Sequence, residues 1–225
     1  MLLDLFGTMV NFHSVFFSTL NRVLIDHGLE DKAEDFKTRW QSFVFQGQSK
    51  GGFITVREDF INSLSSVLGG LGCKGDLDVY AEGVIDGMFK NLREAELFPE
   101  VPKVIAALEA AGLPWAIVSN VDEEDLQAIV TNQGLRPASA ISSERVRSYK
   151  PDGAIFQAAL DDLGLPASRV LHVGDSPVAD VKGAIDAGID VLWVNRRNEP
   201  FPDDLPPPGW DVPDLSGLPA LLLRD

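Results

Sequence analysis

Residues 169–180 read RVLHVGDSPVAD. The stretch opens as a short apolar run, turns at Gly174-Asp175, and continues into a helical rhythm over Val178–Ala187 that stops at Gly188. A short apolar run bounded by turn residues fits a strand buried in a parallel sheet, with a helix following it. Asp175 and Asp180 would then stand where a strand hands over to a helix, the place at which open α/β sheets present ligands.

The pattern repeats on both sides of this stretch. Met1–Phe6, Leu113–Asn120 (LPWAIVSN) and Gly188–Asn195 (GIDVLWVN) have the same strand-like look, and Ala138–Ser142 is a weaker fifth. Helical segments lie between them: Val101–Ala111 closed by Gly112, Asp122–Asn132, and Pro151–Leu163 opened by proline and closed by Gly164. Strands alternating with helices of this length indicate a doubly wound parallel sheet. Only three residues precede Asp4, so either the first strand is short or the native chain is longer.

From about Phe12 to Arg93 the buried-strand runs disappear and an amphipathic helical rhythm takes over. Ser14–His27, Asp31–Phe45, Thr55–Leu68 and Asp76–Leu92 are the expected helices, with Gly28, Gly47, Gly51-Gly52 and Gly69-Gly70 near their ends. The expected division is an α/β core of residues 1–12 and 94–225, interrupted by an all-α insertion of residues 13–93. The proline-rich tail, Glu199–Pro213, reads as surface loop before a short final helix.

Composition narrows the partners. The formal net charge is −15, which argues against nucleic acid or an anionic membrane as a partner, since both need a basic surface. It would also repel an anionic small molecule unless positive charge gathers locally at the site. Cys73 is the only cysteine, so neither a disulfide within the chain nor a cysteine zinc cluster is available. No apolar run reaches the roughly 18 residues of a membrane helix, and the N-terminus lacks the basic start of a signal peptide. A cytoplasmic location is the simplest expectation. The oligomeric state is not legible.

Four places carry chemistry. Asp4-Leu5-Phe6-Gly7-Thr8 puts a carboxylate at a strand end, and an aspartate is a competent covalent nucleophile. Ser119-Asn120 offers a hydroxyl and an adjacent amide for an oxyanion, or simply a helix cap. Lys150-Pro151-Asp152 supplies a point charge that neutralises a phosphate, or an exposed lysine before a helix. Asp175 and Asp180 suit a hard cation such as Mg2+, or serve only as favourable acids at a helix N-terminus.

In order and context, DLFGT, VSN, KPD and GDSPVAD resemble the four motifs of the haloacid dehalogenase-like superfamily. The helical insertion is similar to that superfamily's cap, and VNRRNEP and DLSGLPALL also fit. The resemblance implies a Rossmann-like core and a role for each residue. Asp4 attacks the substrate and Thr8 positions the phosphate or the turn. Ser119 and Asn120 hold the transferring group, while Lys150 orients Asp4 and offsets charge. Mg2+ would be held by Asp4, the backbone carbonyl of Phe6 and Asp175, with Asp180 as a direct or outer ligand. Metal and Lys150 together would gather the positive charge that an anionic substrate needs.

One departure matters. Phosphatases of the superfamily carry a second aspartate two positions after the nucleophile, as general acid and base, and here that position is Phe6. General acid–base catalysis contributes about 10²–10⁴ in rate. The main expectation is a Mg2+-dependent phosphohydrolase of a small phosphorylated metabolite whose proton comes from elsewhere. The alternative is a 2-haloacid dehalogenase, whose halide leaving group needs neither proton nor metal. A weakly catalytic protein that binds a ligand or partner is the second alternative. Arg22 or Arg39 would hold a haloacid carboxylate, and His13, Trp40, Phe43 and Phe45 are further candidates for facing substrate. His172, inside an apolar strand, is expected in the core.

Overall fold

The structure, a computed structural model, describes residues 1–43 and 52–222, without the side chains of 41–43. Among these residues the chain separates into two compact units, Met1–Asn11 with Glu96–Asp225, and Phe12–Ala95.

The first unit is an α/β layer structure around a six-stranded sheet in the order β3-β2-β1-β4-β5-β6. The strands are β1 (Leu2–Leu3), β2 (Ala116–Ser119), β3 (Ser139–Ser142), β4 (Leu171–Gly174), β5 (Asp190–Val194) and β6 (Trp210–Val212). Every neighbouring pair is parallel. Central strands of such a sheet are covered on both faces, which is why they read as apolar runs rather than alternating ones. β1 has only two residues, with Leu2 opposite Ala116 on one side and His172 on the other. Its pairing extends past those residues, because Ala116 N donates to Met1 O at 2.9 Å and Asp4 N donates to Val173 O at 2.9 Å. The second of these bonds fixes Asp4 beside the end of β4. The winding direction reverses between β1 and β4, so the crevice that such a reversal creates opens beside Asp4 and Asp175.

The helices α5 (Val101–Ala110), α6 (Glu123–Asn132), α8 (Gly153–Leu163) and α9 (Gly183–Asp186) connect these strands, with a short α7 (Ser143–Val146) after β3. Ile155, Phe156, Ala159 and Leu160 of α8 pack with Val118, Ile141, Val181 and Ala184 in one apolar cluster. Three local expectations differ from the structure. Helix α8 starts at Gly153 rather than Pro151, because Asp152 is its cap and accepts from Ala154 N at 2.8 Å. The helix expected over 178–187 is split into a wide π-type turn, Pro177–Lys182, followed by α9. Ser176 O there accepts from both Asp180 N and Val181 N, at 3.0 and 3.1 Å. The tail is not all loop, since β6 adds an edge strand beside β5. Three mostly exposed residues give no apolar run for a sequence reading to find.

The second unit is all helical: α1 (Phe12–His27), α2 (Ala33–Phe43), α3 (Val56–Gly70) and α4 (Leu77–Arg93). Thr55 and Glu58 form a reciprocal capping box at the start of α3, and Asp76 caps α4. Trp40 is fully buried, with its ring 4.9 Å from that of Phe16 and its Nε1 donating to Ser63 Oγ at 3.0 Å. It is therefore a core residue of this unit. The expected end of the second helix, with Phe45 and Gly47, lies outside the described residues, as does the side chain of Phe43. No helix among the described residues is long and apolar enough to cross a membrane.

Candidate active site

Asp4 leaves β1 and enters a tight turn. Met9 N and Val10 N both donate to Leu5 O at 2.8 Å, and Gly7 N donates to Val10 O at 2.8 Å. Gly7 sits at φ +84°, a region open to glycine, and a Cβ there would collide with the Asp175 carboxylate. The sequence places glycine there because two strand ends approach too closely for a side chain. Thr8 is fully buried, and its hydroxyl donates to Asp175 Oδ1 at 3.4 Å.

The carboxylate of Asp4 is held from one side. Its Oδ1 accepts from Ser119 Oγ at 2.9 Å and from Lys150 Nζ at 2.6 Å. Its Oδ2 accepts no hydrogen bond from the described residues. Lys150 is buried and also donates to Asp180 Oδ1 at 2.6 Å. Both Asp180 oxygens are engaged, since His172 Nε2 lies 2.9 Å from Oδ1 and Ser176 N donates to Oδ2 at 2.9 Å. Gly174 has no room for a Cβ because the Asp180 carboxylate is folded against it.

The side chain of Asn120 is engaged with the Lys150 backbone. It accepts from Lys150 N at 2.8 Å and donates to Lys150 O at 3.1 Å. This two-sided clasp fixes the backbone from which the lysine reaches Asp4, immediately before the cis Lys150-Pro151 bond. The Asn120 side chain therefore positions the lysine. His172, expected as a plain core residue, is fully buried against Phe156 but also anchors Asp180. Its polar role had no sequence signal, because a histidine in an apolar run looks the same whether or not a carboxylate faces it.

Electrostatics set the three acids apart. Burial pushes the Asp4 carboxyl above its ordinary range, although Lys150 and Ser119 pull it back. Burial, with the like charges of Asp4 and Asp180, pushes Asp175 up strongly. Asp180 goes the other way: burial would raise it, but Lys150 and His172 hold it well below the ordinary range. Burial would likewise lower Lys150, yet Asp180 and Asp4 outweigh it and keep the ammonium charged.

One oxygen from each of Asp4, Asp175 and Asp180 lies within 4.8 Å of the others. Three carboxylates against one lysine leave negative charge uncompensated, and the donors are all oxygen, so the set fits a divalent cation such as Mg2+. Both Asp180 oxygens already accept hydrogen bonds, whereas Asp4 and Asp175 each accept on Oδ1 alone among the described residues. Phe6, whose carbonyl the sequence suggested as a third ligand, is partly buried in the same turn and bridges to Val10.

Arg22 and Arg39 each face an acid one turn earlier or later on their own helices, Arg22 Nε to Asp26 at 3.5 Å and Arg39 Nε to Asp35 at 2.9 Å. The ring of His13 lies edge-on to Phe12 and tilted against Phe17 within the helical unit.

Asp4, Ser119, Lys150, Asp175 and Asp180 thus converge at the reversal point of a doubly wound parallel sheet. The model of the haloacid dehalogenase-like hydrolases matches residues 1–188, and the chain belongs to that family. It is similar to the (S)-2-haloacid dehalogenase of Pseudomonas sp. (strain YL), 27% identical over 221 residues, 96% of this chain and 90% of that one. It is also similar to pyrimidine 5'-nucleotidase YjjG of Escherichia coli (strain K12), 29% identical over 222 residues, 96% and 94% of the two chains. Among solved structures, L-2-haloacid dehalogenase from Xanthobacter autotrophicus superposes with a TM-score of 0.80 at 22% identity, covering 98% of this chain and 96% of its own.

Proposed function

We propose that the protein hydrolyses short 2-haloacids through attack of Asp4 on the halogen-bearing carbon. The observation that carries this reading is an Asp4 neutralised by Lys150 and held on one oxygen, in a turn whose acid position is Phe6. Asp4 Oδ2 forms the C–O bond as the C–halogen bond breaks, and the halide departs with the electron pair. No proton is needed, so a phenyl ring at residue 6 costs nothing. Water then adds to the Asp4 acyl carbon, the C–O bond to the substrate breaks with one water proton passed to the departing alkoxide so that the hydroxy acid leaves, and the free carboxylate returns as the second proton goes to solvent. Asp175, pushed up by burial and its acidic neighbours, has the basicity to take the proton of that water. The haloacid dehalogenases among the relatives support this reading. The helical unit would serve as the cap that its place in the sequence suggests.

A second reading rests on the unbalanced carboxylates. In a Mg2+-dependent phosphohydrolase of a small phosphorylated metabolite, Asp4 and Asp175 would hold the metal, which supplies charge neutralisation for an incoming phosphate. The nucleotidase relative supports it.

The test is halide release from 2-chloropropionate and phosphate release from a phosphate-ester panel, each with Mg2+ and with EDTA. We expect halide release that EDTA leaves unchanged and that Asp4→Asn abolishes. Phosphate release that requires Mg2+, without halide release, would overturn the first reading. In that case Phe6→Asp should raise phosphate release by about 10²-fold or more by restoring the acid.

A further inference from the structure

The site motifs leave a partly buried cation, Arg196, without a role. Arg196 follows β5, in the VNRR segment. Its Nε donates to Gly7 O at 3.1 Å, and its Nη2 donates to Thr8 O at 2.7 Å and to Glu100 Oε1 at 2.6 Å. The face of its guanidinium lies 3.6 Å from the ring centroid of Phe98. Both members of the Arg196–Glu100 pair are largely buried, at 16% and 19% side-chain exposure.

We propose that Arg196 is a positioning residue for the Asp4 turn. Gly7 and Thr8 are two consecutive carbonyls in the turn that carries the nucleophile, and a planar guanidinium accepts no bonds but donates in a fixed fork. Holding both carbonyls fixes both peptide planes, because each peptide unit is rigid. That in turn fixes Thr8, whose hydroxyl reaches Asp175, and the close approach of Gly7 to the same carboxylate. Phe98 and Glu100 brace the arginine from behind. Phe98 N donates to Met9 O at 2.9 Å, and Val10 bridges to Leu97, so the brace is tied to the far end of the same turn. A lysine would keep the charge facing Glu100 but could not reproduce the fork and the flat contact with Phe98 together.

The effect on turnover rests on Asp4 being the nucleophile, so the experiment includes a readout that needs no substrate. Hydrogen exchange of the Gly7, Met9 and Val10 amides reports the turn directly, since their acceptors lie within it. In Arg196→Ala those amides should exchange at least about tenfold faster, with the amides of β2 unchanged. Arg145→Ala, which breaks an exposed ion pair with Asp162, should leave the turn protected. On the substrate that wild type turns over, Arg196→Ala should lose about 10- to 100-fold in kcat with KM within about twofold. Added guanidinium should restore part of that loss and Arg196→Lys should not. Unchanged protection of the three amides, or full activity in both variants, overturns the proposal. Wild type releasing neither halide nor phosphate overturns the reaction reading alone, and the exchange result still decides Arg196.

Discussion

Asp175 is where charge and chemistry conflict. Its folded pKa is raised, so its ionised form is disfavoured in the native state. Linkage then fixes the sign: stability falls as pH rises above the ordinary carboxylate value of 3.8 through the raised one. Asp180 has the opposite sign. Its carboxylate is held below the ordinary range, so its stabilisation is present above 3.8 and is lost as pH falls towards the lowered value. Asp175→Asn should therefore raise the melting temperature at pH 7 in EDTA and flatten the decline above pH ~4. If Mg2+ binds, it should raise the wild-type melting temperature by mass action and leave Asp175→Asn unmoved. The same variant, given 2-chloropropionate, should accumulate a covalent adduct at Asp4 by intact mass, because ester formation no longer leads to rapid hydrolysis. Absence of the adduct, with turnover intact, would remove Asp175 as the base. The carboxylates and the lysine were all legible as motif residues. Their unequal basicities were not, because those arise from Lys150 standing between Asp4 and Asp180 and not beside Asp175.

At the scale of elements, the turn after β4 decides whether the site assembles. A regular helix from Val178 would carry Asp180 around its own axis. The π-type turn instead lets Ser176 cap it through Ala179 N at 3.1 Å and brings Asp180 back onto Ser176 N. Gly183, at the start of α9, lies against α8. A Cβ there would stand 2.9 Å from both Phe156 Cε2 and Pro151 Cα. Gly183→Ala should cost about 1–3 kcal/mol by overpacking, measurable in urea unfolding, and should lower activity by shifting Lys150 beside Pro151. A variant as stable and active as wild type would show that the contact relaxes freely. Periodicity found the strands β1, β2, β4 and β5, more weakly β3, and nearly every helix, because each buries a continuous face. It missed β6 and the π-type turn, whose hydrogen bonds depend on neighbours far along the chain.

Across the whole molecule, the net charge of −15 meets a site built around one buried lysine. An anionic substrate approaches against that field, and salt screens it over a Debye length of about 10 Å at 0.1 M. With a 2-haloacid, kcat/KM should rise between low salt and about 0.15 M and kcat should change little. A fall over that range would mean that the local positive potential dominates the approach. Arg196 belongs to this scale as well, since it acts on residues more distant in sequence than any motif spacing can express, whereas His172 and Asp180 share a motif but meet only through the turn.

The sequence alone determined the alternation of strands and helices, the all-helical insertion and the identities of Asp4, Ser119, Lys150, Asp175 and Asp180. Those features follow from local burial pattern and from side-chain chemistry, which each residue carries wherever it lies. Tertiary structure alone decided that the Asn120 side chain clasps the lysine backbone, that both Asp180 oxygens accept hydrogen bonds, and that Arg196 holds two carbonyls of the Asp4 turn. Hydrogen bonds extend only about 3 Å, so what each polar group does depends on which neighbour the fold brings within that distance.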